Sequence, residues 1–112
     1  MHGDMQSLLS RADRALQATD TARKILQLRE YHREVITQTL GRAAANGHRT
    51  LEYLYQHPIV TVTGVQKEIG TTYPAANNLV ARLVEQGILH EMTGRVRHRQ
   101  FLYVEYLQLF HE

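Results

Sequence analysis

The chain has no cysteine, which excludes disulfide bridges, a cysteine nucleophile and thiolate metal sites. It also lacks a strong charge of either sign. Thirteen Lys and Arg stand against eleven Asp and Glu, a formal net charge of +2. Bulk charge therefore does not argue for nucleic acid, and distribution has to carry that case. No apolar run approaches the roughly 20 residues that span a bilayer. The start, MHGDMQSLL, carries Asp4 where an export signal would have a basic flank and an apolar block. The expectation is a soluble, cytoplasmic protein. With 112 residues and 43% hydrophobic content, there is room for one small domain, or for a domain and an appendage.

Proline is scarce, and both copies sit at boundaries. Pro58 forbids helical continuation and biases His57 toward an extended backbone. Pro74 falls in the first turn of a helix pattern, where the missing N–H would have had no partner.

The most informative stretch is TGVQKEIGTTYPAANNLVARLVEQG, residues 63–87. Thr63 with Gln66 has capping-box spacing. Val65 and Ile69 share a face, and Gly70 suits the left-handed stop of a short helix. Thr71 and Thr72 offer the next N-cap. A second helix from Tyr73 to Gln86 collects Ala76, Leu79, Val80, Leu83 and Val84 on one apolar face, and Gly87 closes it. Helix, tight turn and second helix make a helix-turn-helix. Tyr73, Asn77, Asn78, Ala81 and Arg82 point away from the apolar face. Asparagine can pair with two edge atoms of adenine, and arginine with guanine or a phosphate. A plain solvated surface accounts for the same residues equally well.

Upstream, Leu8, Leu9, Ala12, Ala15 and Leu16 have helical spacing, with Ser7 or Asp4 as a cap. Asp20 or Thr21 begins a second helix, or one helix runs through. Ile25, Leu28, Val35, Ile36 and Leu40 continue a ragged stripe to about residue 45. This arm is too thin for a core of its own, so it folds back, pairs with a second copy or docks on another protein. Asn46-Gly47 is the most visible break, although a helix can pass through it. Leu51, Leu54 and Tyr55 then mark another helix, and Ile59 to Val62 a short strand.

After Gly87 the period changes. Ile88 to Met92 and Gln100 to Val104 read as strands of a β-hairpin turning at Thr93-Gly94. Tyr106, Leu107, Leu109 and Phe110 suit a last helical turn or a packed tail. Arg95, Arg97 and Arg99 alternate along the tip, with no acid between Met92 and Tyr103. Such a tip can follow a phosphate backbone or enter a minor groove. It can equally be a solvated edge whose charges limit strand pairing.

The run from Leu51 to Phe110, with its HPIVT, YPAANNLV and GILHEMTGRVRHRQFLY segments, resembles the C-terminal winged-helix region of Fic-family proteins. The preceding RKILQLREYHREVITQTLGRAAANG resembles the helical lead into it. Full-length members of that family usually carry an upstream domain that transfers AMP from ATP to hydroxyl side chains. The catalytic signature is a histidine, proline and phenylalanine followed by a glycine-rich loop and an arginine. It is absent here, because His57-Pro58 is followed by Ile59-Val60-Thr61. The resemblance implies no catalytic residue. It implies helix contacts from Tyr73, Asn77, Asn78 and Arg82, and wing contacts from Arg95, Arg97 and Arg99.

Other chemistry finds no footing. The seven histidines (2, 32, 48, 57, 90, 98 and 111) form no four-apart pair or compact motif, so isolated exposed histidines are expected in place of a metal site. There is no phosphate-cradling glycine run, nucleotide fingerprint or serine elbow. Glu85 and Glu91 have no spacing that fixes a carboxylate pair. Tyr103 and Tyr106 are expected at the core edge. The expected protein is mainly α with a small β-hairpin. It is a winged helix-turn-helix at 47–112 preceded by an α-helical arm at 1–46. It binds double-stranded DNA as a regulator, without enzymatic activity, cofactor or metal, and forms a homodimer through the arm. The alternative is a non-catalytic protein-interaction module whose partner is a Fic-family AMP-transferring enzyme.

Overall fold

A computed structural model describes residues 2–92 and 97–110, with side chains from residue 19 onward. The first element is one helix, α1 (His2–Thr39), without the interruption that Asp20 or Thr21 would have allowed. Asp20 instead serves the middle of the helix, pairing with Arg23 at 2.5 Å and Lys24 at 3.4 Å. Pairs three and four apart are neighbours on a helix surface. The hydrogen bond from Arg23, and then that from Lys24, hold the Asp20 carboxyl below the usual carboxylate range.

The break expected at Asn46-Gly47 lies six residues earlier. Leu40 leaves α1, and Gly41 takes φ +53°, a left-handed state that costs glycine no Cβ clash. A single 3-10 turn (Gly41–Ala43) leads into α2 (Ala44–Gln56), which runs through Asn46-Gly47. Gly47 is a contact residue. A Cβ there would stand 2.7 Å from Leu40 Cδ2 and 2.8 Å from Ile36 Cγ2. Its bare backbone is what lets α2 approach the end of α1.

Strand β1 (Ile59–Thr61) follows Pro58, and α3 (Val62–Ile69) starts from it directly. Its N-cap is Thr61, not Thr63: the Thr61 hydroxyl accepts from the Gly64 N–H at 3.0 Å. The second threonine of the TVT run is the one already inside the helix. Gly70 closes α3 in the left-handed conformation, and the Arg49 guanidinium donates to the Ile69 carbonyl at 3.1 Å. Thr72 caps α4 (Tyr73–Glu85) by accepting from the Ala75 N–H at 3.3 Å. At the other end, Gly87 N–H donates to Val84 O and Ile88 N–H to Leu83 O, both at 3.0 Å. This is the paired bonding of a Schellman stop.

The strands are shorter than their apolar runs. β2 is His90–Glu91 and β3 is Gln100–Leu102. Ile88, Leu89 and Tyr103, expected in the hairpin, are fully buried in the core. Strand β3 lies in the middle of a three-stranded antiparallel sheet, ordered β1-β3-β2, with Val60 opposite Phe101 and Glu91 opposite Phe101 on the other side. A short helix, α5 (Val104–Gln108), then packs toward α1. Helices α2, α3 and α4 with a three-stranded sheet, whose β2–β3 hairpin follows the second helix of the helix-turn-helix, make a winged helix.

The core takes Leu51 and Leu54 from α2, Val65 and Ile69 from α3, and Ala76, Leu79, Val80 and Leu83 from α4, closed by Ile88, Leu89, Phe101 and Tyr103. Ile36 of α1 and Leu40 just after it belong to the same cluster. Packing therefore does not divide at residues 46 and 47. The last two turns of α1 pack into the same core as the winged helix.

His32 corrects the expectation of isolated exposed histidines. It is 2% exposed, with Nδ1 2.6 Å from the Tyr103 hydroxyl and Nε2 3.4 Å from a Glu105 carboxylate oxygen. The Tyr103 hydroxyl also lies 3.0 Å from that of Tyr55, and Tyr106 donates to the Tyr55 carbonyl at 3.3 Å. This chain of polar contacts ties α1, α2 and α5 together. Burial pushes both the Tyr55 and Tyr103 phenols above their ordinary range.

Candidate nucleic-acid interface

Helix α4 is fixed by what it buries. Ala76, Leu79, Val80 and Leu83 face α3 and the core, so the remaining surface is set by helical geometry. Tyr73 is 49% exposed at the first position, Asn78 and Ala81 are exposed, and Asn77 is half-buried. The carboxamides of Asn77 and Asn78 and the Tyr73 phenol are thus available along one helix, near its N-terminal end.

Arg82 does not join them. Its Nη2 donates to the Thr39 carbonyl at 2.7 Å and its Nη1 to the Leu40 carbonyl at 3.1 Å. Both acceptors are backbone carbonyls where α1 ends, a place that leaves C=O groups without intrahelical partners; that of Leu40 also accepts from the Ala43 N–H at 3.0 Å. The guanidinium expected at the groove is engaged within the fold.

The wing brings its arginines to the other flank of α4. Arg99 donates to the Asn77 side-chain oxygen at 3.4 Å, stands 3.5 Å from a Glu91 carboxylate oxygen, and lies 5.6 Å from the Phe101 ring centre. The first two are long, half-exposed contacts that orient more than they stabilise. Arg97 is exposed. Arg95, with Thr93, Gly94 and Val96, lies outside the described residues. Between the start of α3, the start of α4 and the wing opens a cleft of about 550 Å³, lined by Thr61, Thr63, Tyr73, Arg97, His98 and Arg99 among others. Two of the three wing arginines and Tyr73 therefore share one concave face.

Thr63 and His98 line this cleft without having been singled out from the sequence as contacts. For His98 a signal existed in its place between Arg97 and Arg99; for Thr63 the capping pattern concealed it. His98 adopts φ +54°, a bend in the wing that its sequence did not announce. Among the described residues no group of three or more His, Asp or Glu is placed to hold a metal ion. No helix among them is long and apolar enough to cross a membrane.

Residues 48–101 match the family model of a helix-turn-helix DNA-binding domain. Among solved structures the chain is similar to MepR, a transcription regulator of the Staphylococcus aureus multidrug efflux pump MepA. The identity is 21%, over 80% of this chain and 70% of that one, with a TM-score of 0.47. No curated protein matches the chain. The likeness to the Fic-family C-terminal region has no counterpart among these matches.

Proposed function

We propose that this protein is a DNA-binding transcriptional regulator that reads duplex DNA with α4 and grips its backbone with the wing. Tyr73, Asn77 and Asn78 face the major groove or its flanking phosphates. Arg97 and Arg99, with Arg95, follow the backbone or enter the minor groove. The observation that carries this reading is the shared cleft, in which the exposed start of α4 and the arginines of the wing border one surface. Phosphate contacts position such a module and base-edge contacts specify its site. One copy offers few phosphate contacts, so two copies joined through the arm would suit a palindromic site in the cytoplasm.

The rival is a protein-interaction module that works with a Fic-family enzyme. The resemblance over Leu51 to Phe110, a net charge of only +2 and the presence of only two lysines favour it. A titration against mixed duplex DNA at two salt concentrations, with solution mass from light scattering, separates them. The regulator binds with a salt-dependent constant as a dimer. Absence of binding at low salt overturns the regulator and leaves the arm as bait for a protein partner.

A further inference from the structure

Arg82 ties the proposed reading helix to a distant part of the chain. It stands one turn after Asn78, on the same side of α4. From there it spans 42 and 43 residues of sequence to reach Leu40 O and Thr39 O. A planar guanidinium that makes two bonds fixes both distance and rotation, which a single ammonium does not. The positive charge also sits at the negative end of the α1 dipole. On the opposite flank Asn77 is held by Arg99 of the wing. The ridge that carries Asn77, Asn78 and Ala81 is therefore braced from two sides, by the wing on one and by the last turn of α1 on the other.

We infer that Arg82 is a positioning residue: through the carbonyls of Thr39 and Leu40 it locks the orientation of α4 to the direction of the α1 arm, so that whatever holds the arm also sets how α4 meets its target. The inference builds on the DNA-binding reading but concerns the internal geometry of the chain. The contact supports it independently of any ligand, since the acceptors are backbone atoms that Arg82 reaches within one copy.

The test uses the full chain. Because no native cysteine is present, Glu30→Cys on α1 and Glu85→Cys on α4, both exposed positions, accept a spin-label pair cleanly. Labelled chain is diluted into unlabelled chain so that only distances within one copy are read. Wild type should give a narrow distance distribution. R82M should broaden it and lower affinity for mixed duplex DNA about 5-fold, while the dependence of log affinity on log salt keeps the wild-type slope. A residue that only stabilises the fold would lower the melting temperature and leave the distribution narrow, which overturns the inference. A slope reduced by about 0.9, the mark of one lost phosphate contact, with an unchanged distribution also overturns it. If R82M does not melt cooperatively, R82K is read in the same way. Its single ammonium should still broaden the distribution, and a narrow one overturns the inference. Should the wild type bind no DNA, the distance measurement alone decides, and only the DNA-binding reading falls.

Discussion

The imidazole of His32 and the phenol of Tyr103 meet at 2.6 Å across 71 residues of sequence, joining the long first helix to the residue that follows the last strand. Glu105 faces the other ring nitrogen, and a carboxylate only accepts. A neutral ring therefore carries its proton on Nε2, leaving Nδ1 to accept from Tyr103. Tyr103 in turn accepts from Tyr55, which makes a one-directional chain of hydrogen bonds. Tyr103→Phe keeps the ring packing and removes the middle of that chain, stranding the buried His32 nitrogen. The expected cost is about 1–3 kcal/mol. A lower urea midpoint with an unchanged slope would show it, and an unchanged midpoint would exclude it.

His32 should also make stability depend on pH. Burial is the larger influence and pushes its pKa below the ordinary 6.5, while the Glu105 charge opposes the shift. The unfolded chain thus takes up a proton at a higher pH than the folded one. Stability from this residue is full above about 6.5, falls as the pH drops below it, and levels off once the folded pKa is passed. Chemical unfolding at pH 7.5 and 5.5 should show that loss, and His32→Gln should show a smaller one. Equal losses in the two proteins would remove His32 as the cause.

Much of this fold can be read from the chain because local and tertiary preferences agree there. In α4 the apolar spacing, the Thr72 cap, the Pro74 position and the Gly87 stop all favour the same helix, and its buried face is the one the spacing selects. Where a distant neighbour decides, the reading fails. Asn46-Gly47 has the chemistry of a turn, yet it continues a helix because Ile36 and Leu40 need a residue without a side chain opposite them. Arg82 lies on the exposed arc of α4, and nothing local reveals that the end of α1 comes within its reach. His32 finds its hydrogen-bond partners far along the chain, so only the fold shows that Tyr103 and Glu105 enclose it. The exposed face of α4 was therefore legible, while the attachment of Arg82 to the end of α1 was not.

The threonine caps allow a paired comparison. Thr61 accepts from the Gly64 N–H, whereas Thr63 is exposed in the first turn of α3. Thr61→Ala should lower stability by about 1 kcal/mol through loss of the cap, and Thr63→Ala by no more than about 0.5 kcal/mol. Thermal melts of the two variants beside wild type decide the point. The reverse ranking would return the cap to Thr63.

At Gly47 two rules oppose each other. Alanine favours a helix interior over glycine by about 1 kcal/mol, which argues that Gly47→Ala should stabilise α2. The new methyl, however, would stand 2.8 Å from Ile36 Cγ2 and 2.7 Å from Leu40 Cδ2. The Ile36 methyl belongs to a β-branched side chain with one strongly preferred rotamer in a helix, so it cannot swing aside without moving α1. Overpacking of this kind costs about 1–3 kcal/mol and should prevail, lowering the melting temperature. A rise would mean that α1 yields at its last turn without penalty.

The wing arginines should differ in what they do to DNA. Arg97 is exposed on the wing, so Arg97→Ala should reduce the salt slope by about 0.9 and weaken all duplexes alike. Arg99 also holds the Asn77 side-chain oxygen, leaving that carboxamide fewer orientations in which to meet a base. If Asn77 reads a base as proposed, Arg99→Ala should therefore lower the slope by a similar amount and also relax base preference at that position. Selection of preferred duplexes from a random pool, run on both variants, measures this difference. A preference that survives in Arg99→Ala would show that Arg99 does not orient Asn77 and leave Arg99 as a backbone contact.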